Sequence, residues 1–132
     1  MIFTETSLPG VWIIDMEPAR DERGYFARTF CREEFLRHGL NPHVEQCSVS
    51  YNIKRGTLRG LHWQCRPHEE AKVVRCINGS IWDVAVDVRE GSDTYLRWFG
   101  VELSTRNGKA LYIPEGFAHG FITLEDHTTV AY

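Results

Sequence analysis

Short runs rich in β-branched and aromatic residues follow one another along this chain. They are Val11–Ile14, His43–Ser50, Ala71–Ile77, Ile81–Val88, Trp98–Leu103, Ala110–Ile113, Gly120–Leu124 and Thr128–Tyr132. Turn-forming residues separate them, which is the signature of successive strands. Asn78-Gly79 predicts a two-residue hairpin between Val73–Ile77 and Ser80–Val88, because both residue types tolerate positive φ. Arg106-Asn107-Gly108-Lys109 predicts a second hairpin. One helical stretch stands out, Arg32 to His38, with Phe35 and Leu36 expected inward and Gly39 as its stop. Many short strands and a single short helix predict an all-β sandwich or barrel.

Composition narrows the functional classes. At 132 residues the chain suits one domain spanning 1–132, and no repeat or linker divides it. The 15 Lys and Arg against 18 Asp and Glu leave a net charge of -3, which argues against a broad nucleic-acid surface. No apolar run approaches the roughly 20 residues of a membrane span. The first ten residues lack the basic and apolar regions of a secretory signal. The four cysteines, Cys31, Cys47, Cys65 and Cys76, form no C-x-x-C pair and are expected reduced and partly buried. A cytoplasmic location is therefore expected.

The run Ile81–Val88 has two chemically distinct faces. Trp82, Val84, Val86 and Val88 share one, and Ile81, Asp83, Ala85 and Asp87 share the other. A barrel wall that is polar inside and apolar under a second layer would read this way, and so would a half-exposed strand.

Two segments carry chemistry-bearing residues. In Gly56-Thr57-Leu58-Arg59-Gly60-Leu61-His62-Trp63-Gln64, two glycines interrupt a strand-like run. That pattern marks a bend or a close backbone approach. Arg59 and His62 flank the second glycine, and Lys72 lies on the next strand. In Ile113-Pro114-Glu115-Gly116-Phe117-Ala118-His119-Gly120-Phe121, a tight turn leads into a strand that carries His119. Each histidine alone is as readily a structural residue as a functional one.

Together the segments resemble the two motifs of the cupin superfamily, Gly56 with His62 and Glu69 for the first and Pro114, Gly116 and His119 for the second. The resemblance implies a double-stranded β-helix, or jelly-roll, barrel with one short helix. Metal-binding cupins carry a second histidine where this chain has Gln64. His62, Glu69 and His119 would remain as ligands, so a metal site is not expected.

Five blocks resemble one cupin family more closely. They are Asp21-Glu22-Arg23-Gly24-Tyr25-Phe26, Leu58–Gln64 with Pro67 and Lys72, Gly79–Arg89, Gly100–Leu103, and Pro114–Phe121. Their order and spacing are similar to those of dTDP-4-dehydrorhamnose 3,5-epimerases. The resemblance implies a cofactor-independent isomerase that inverts C3, C5 or both in a nucleotide-linked 4-keto-6-deoxyhexose. It implies His62 as the base that takes the proton α to the ketone and Tyr132 as the acid on the opposite face. Lys72 would stabilise the enolate oxygen, a task suited to a fixed cation in a dry barrel. Arg23 and Arg59 would hold the diphosphate, where a guanidinium fork fits best. Phe26 would stack on the base and His119 would line the pocket. Asp83 is expected to hold Lys72 in place.

The chain departs from the family pattern in three places. Arg28 stands where a glutamate is usual, and Val44-Glu45-Gln46-Cys47-Ser48 replaces a Gln-x-Asn segment. Both changes lie toward the nucleotide and open its identity to question. The chain also stops at Tyr132, ahead of a segment in which the family carries an aspartate that orients the histidine. A C-terminally incomplete barrel is expected, in which the histidine lacks that partner. A non-catalytic sugar-nucleotide-binding cupin and a metal-binding cupin are the competing readings. A homodimer that exchanges N-terminal strands is the expected assembly, because an exposed antiparallel edge is a template for pairing.

Overall fold

A computed structural model describes residues 1–132. Twelve strands and one helix follow in the order β1 (Ile2–Glu5), β2 (Trp12–Asp15), β3 (Ala19–Asp21), β4 (Gly24–Phe26), α1 (Arg32–Arg37), β5 (Val49–Asn52), β6 (Leu58–His62), β7 (Lys72–Asn78), β8 (Ser80–Asp87), β9 (Trp98–Ser104), β10 (Ala110–Ile113), β11 (Phe117–Thr123) and β12 (Thr128–Ala131). A six-stranded sheet, β1-β2-β10-β7-β12-β5, faces a four-stranded sheet, β6-β11-β8-β9. Every pairing in both is antiparallel. This is the expected all-β jelly-roll barrel.

The chain alternates between the sheets instead of folding into local hairpins. β7 and β8 flank Gly79 but lie in different sheets, so Asn78-Gly79 is a corner and not a hairpin. Gly79 has φ +79°, and a Cβ there would stand 2.5 Å from Thr128 Oγ1, so the corner requires glycine. The Arg106–Lys109 turn likewise carries the chain from β9 in the four-stranded sheet to β10 in the six-stranded one. The two expected hairpins are both corrected in this way. A turn signal reports local backbone geometry, not which partner the next strand finds.

Two cores hold the layers. Val74, Cys76, Leu111, Ile113 and Val130 from one sheet meet Ile81, Ala85, Leu103, Phe117 and Phe121 from the other. The second core lies on the outer face of the six-stranded sheet, where Ile14, Ala110 and Tyr112 pack against Phe35 and Leu40. Phe35 docks α1 there and is fully buried, which contributes roughly 1.5–3 kcal/mol. Leu36 is exposed, contrary to expectation, because six residues of helix can turn only one narrow stripe inward. Gly39, at φ +69°, ends the helix as expected.

The expected strand His43–Ser50 is also corrected. Only Val49–Asn52 pairs, and residues 41–47 form no strand. The β8 alternation resolves as the barrel wall: Ile81, Asp83, Ala85 and Asp87 are buried inside, while Trp82 is exposed outside. Of the cysteines, Cys76 is buried and Cys31 half-buried, but Cys47 and Cys65 are exposed; all four are free thiols. No helix is long and apolar enough to cross a membrane.

Candidate active site

β6, β11 and β8 lie side by side and set one wall of the site. His62 pairs opposite His119, and His119 opposite Ala85; one row along, Arg59 pairs opposite Phe121, and Phe121 opposite Asp83. Directly opposed residues share a face, so His62, His119, Arg59 and Asp83 all point to the barrel interior. Regular alternation would place Arg59 and His62, three apart, on opposite faces. A bulge resolves this, since three steps along β6 match two along β11.

Gly60 makes the bulge fit. Its φ is +111°, and a Cβ would stand 2.6 Å from Gly120 Cα and 2.7 Å from the His119 carbonyl oxygen. Two backbones cross at a distance that no side chain permits. The two glycines of the sequence motifs therefore meet each other, and their meeting aims Arg59 and His62 together.

The facing sheet supplies the opposite wall. Val74 and Cys76 of β7 point into the core, so Lys72, which shares their alternation, points inward too. Its ammonium pairs with Glu70 Oε1 at 2.6 Å. Thr128 and Val130 of β12 are buried inward, and Tyr132 continues their phase. The Tyr132 amide donates to the Ser48 carbonyl at 3.1 Å, and the Ser48 amide donates back at 2.6 Å. The end of β6, the start of β7, the start of β11 and the end of β12 thus gather His62, Lys72, His119 and Tyr132 at one end of the barrel.

Asp83 serves a different partner from the expected one. His119 Nε2 lies 2.7 Å from Asp83 Oδ1, and Lys72 is held by Glu70 instead. The reason is register: Asp83 lies diagonally across from His119 in the same sheet, whereas Lys72 belongs to the other sheet. Asp83 is fully buried and its Oδ2 makes no hydrogen bond. Desolvation pushes its carboxyl above the ordinary carboxylate range, and the His119 hydrogen bond opposes that shift. Arg59 Nε donates to Asn52 Oδ1 at 2.8 Å, which links the two sheets through a buried amide. Neither Asn52 nor Glu70 stands out in the sequence, since each is an ordinary polar residue until the sheets close.

Arg23 and Phe26 lie elsewhere. They belong to the β3–β4 hairpin, which pairs with neither barrel sheet and whose strand residues are all exposed. Asp21 accepts from the Arg23 amide at 2.9 Å and from its Nε at 3.2 Å. Arg28 does not add a free positive charge near this arm, because its Nη1 donates to Glu34 Oε1 at 3.1 Å. Glu45 is paired with His43 at 2.6 Å. Glu69 lies 3.5 Å from Arg66, and no group of three His, Cys, Asp or Glu side chains converges as a metal site.

Comparison with known proteins agrees with this architecture. A family model described as dTDP-4-dehydrorhamnose 3,5-epimerase matches residues 5–132. A relative of that name from Methanothermobacter thermautotrophicus is 50% identical over 130 residues, which cover 98% of this chain and 69% of that one. The crystal structure of such an epimerase from Elizabethkingia anophelis superposes with a TM-score of 0.95 at 42% identity, covering 99% of this chain and 72% of the other. A Legionella pneumophila 3,5-epimerase in complex with dTDP-4-keto-L-rhamnose superposes at 0.92 with 36% identity, covering 98% and 69%. The chain belongs to the dTDP-4-dehydrorhamnose 3,5-epimerase family.

Proposed function

We infer that this chain epimerises a dTDP-linked 4-keto-6-deoxyhexose at C3 and C5 without a cofactor. The observation that carries the reading is the opposition of His62 and His119 on one barrel wall, facing the sheet that bears Lys72 and Tyr132. His62 takes the proton α to the ketone, and imidazole is the side chain suited to that transfer near neutrality. The electron pair moves to the keto oxygen, where the Lys72 ammonium balances the enolate charge. Tyr132 then returns a proton to the carbon from the opposite face, which inverts the centre. Exchange with solvent restores both groups. Arg59 takes the diphosphate in this reading, and its hydrogen bond to Asn52 supports a fixed guanidinium for that role.

The Legionella relative binds dTDP-4-keto-L-rhamnose, and one from Bacillus anthracis was solved with TDP and pyrophosphate bound. Both support dTDP as the nucleotide here, and Arg28, neutralised by Glu34, does not oppose it. The assembly we infer is a homodimer in which the β3–β4 arm of one protomer brings Arg23 and Phe26 to the barrel of its partner. The arm's lack of pairing with its own sheets supports that reading. A cytoplasmic location fits an enzyme that acts on soluble nucleotide sugars.

Turnover in deuterated water tests the activity. Deuterium is expected at C3 and C5 of dTDP-4-keto-6-deoxyglucose, with His62→Ala abolishing incorporation at both. Full incorporation in the variant would remove His62 from the mechanism. A Streptomyces bikiniensis 3'-monoepimerase is also a structural neighbour, with a TM-score of 0.86 at 34% identity. Incorporation at C3 alone would assign this chain to that narrower reaction.

A further inference from the structure

The β3–β4 arm is joined to the barrel by charge at both of its stems. Glu17 precedes β3, and its Oε2 lies 2.6 Å from the α-ammonium of Met1. That ammonium lies 2.9 Å from Glu34 Oε2 on α1. Arg28 follows β4, and its Nη1 lies 3.1 Å from the other oxygen of the same Glu34. Charges therefore alternate in a linear series, Glu17, Met1, Glu34, Arg28, across the base of the arm. No strand ladder does this work, because β3 and β4 pair only with each other.

Isolated surface ion pairs contribute little, but this series is not isolated. The Met1 side chain is 1% exposed and the Glu34 side chain 15%, so the central pair is backed by packed side chains and its geometry is held from behind. Helix α1 is itself fixed by buried Phe35, which gives Glu34 a rigid mount. One carboxylate holds Arg28 of one stem directly and Glu17 of the other through the Met1 ammonium, and it is the member whose loss disconnects both stems from α1.

We propose that Glu34 is a positioning residue for the nucleotide, holding the β3–β4 arm so that Arg23 and Phe26 are presented in a fixed place. The proposal rests on the reading that the arm contacts the nucleotide. Glu34 itself touches no substrate. It acts by limiting the arm's freedom before binding, and that loss of freedom then need not accompany ligand capture.

Two measurements on the intact chain test it. The first is dTDP affinity by calorimetry. Glu34→Gln is expected to weaken dTDP about tenfold, the size of one lost ordering contribution. In an Arg23→Ala/Phe26→Ala background the same change is expected to shift affinity by less than about twofold, since the arm no longer contributes. A purely structural role would lower the melting temperature yet leave affinity unchanged in both backgrounds, and that result overturns the proposal. An equal loss in both backgrounds overturns it as well.

The second is the rate of tryptic cleavage at Arg20 and Arg23, which needs no ligand. Glu34→Gln is expected to accelerate cleavage in the arm several-fold, because tip residues are cut when their stems loosen. Unchanged cleavage overturns the proposal even where dTDP binds. Absence of dTDP binding by the unaltered chain would instead overturn the nucleotide reading, with cleavage still reporting on the arm. Should Glu34→Gln fail to fold, Arg28→Gln frees the exposed stem alone and is expected to give the same direction in both measurements. Arg28→Lys, which keeps the charge, is expected to restore both.

Discussion

The ring of His119 is fixed by a buried carboxylate: its Nε2 lies 2.7 Å from Asp83 Oδ1, with Asp83 fully buried and His119 nearly so. An ionised Asp83 can only accept, so in that state Nε2 supplies the proton of this hydrogen bond. The pair sets which nitrogen His119 offers to the site beside His62. It also places an ionisable group where ionisation is costly.

That cost gives a pH signature. Burial raises the Asp83 carboxyl above its unfolded value, more than the His119 hydrogen bond lowers it. An acid raised in the folded state contributes its stability below the unfolded pKa, about 4, and loses it as pH rises through the folded value. Asp83→Asn removes this dependence. The melting temperature of the variant minus that of the unaltered chain is therefore expected to become more positive from about pH 4 to about pH 7. A difference that falls over this range would show that the ion pair outweighs desolvation.

Gly60→Ala tests the backbone crossing. The new Cβ would have to occupy space 2.6 Å from Gly120 Cα, and neither backbone can yield without moving the other strand. Positive φ adds strain of its own. A loss of about 3 kcal/mol is expected in urea unfolding, the sum of overpacking and left-handed strain. Deuterium incorporation should fall further than stability alone explains, because the bulge also aims Arg59 and His62. Gly56→Ala is the control: its φ is +79°, but nothing lies within 4 Å of its Cβ position, so it should show the strain without the clash.

These two residues also show how far the sequence is legible. The alternation in Ile81–Val88 carries the barrel wall openly, since every second residue there is buried. The glycines of both motifs are visible as anomalies in strand-like runs, yet nothing local says that they meet. Only the meeting explains why Arg59 and His62 share a face. The Asn78-Gly79 signal is a turn, and its conversion into a corner depends on β12 arriving opposite Gly79, a contact 49 residues away in sequence at Thr128. Strands β3 and β4, of three exposed residues each, are too short to show any period. Opposite charges suggest that Asp83 pairs with Lys72, whereas sheet membership gives Asp83 to His119.

Chelation is expected to leave the reaction untouched. Gln64 stands at the position where metal-binding cupins carry a histidine, and Glu69 is engaged by Arg66 at 3.5 Å. A neutral carboxamide binds divalent transition metals more weakly than imidazole. Deuterium incorporation after dialysis against EDTA, compared with an untreated sample, checks this. A loss restored by one added divalent metal would favour the metal-cupin reading.

Asp87 anchors the loop between β8 and β9 and is the strongest test of acid stability. Its carboxylate is buried and accepts from Arg89 Nε at 2.9 Å and Nη2 at 2.8 Å, from Ser92 Oγ at 2.6 Å and from Thr94 Oγ1 at 2.6 Å. Arg89 in turn covers the Phe117 ring at 4.6 Å, beside the turn that leads into β11 and His119. The Arg89 hydrogen bonds lead the causes that hold the Asp87 carboxyl well below the usual range. A depressed acid contributes stability above its unfolded pKa, about 4, and loses it as pH falls toward the folded value. Asp87→Asn keeps the shape but leaves Arg89 without its counter-ion and turns an amide N–H toward its former donors; because the Arg89 side chain is 42% exposed and screened by water, the cost is about 1–2 kcal/mol near pH 7. Urea unfolding from about pH 7 down to about pH 2.5 should show the unaltered chain losing that advantage below about pH 4 while the variant changes less. Parallel curves throughout would mean that Asp87 is not the acid-sensitive anchor of this loop.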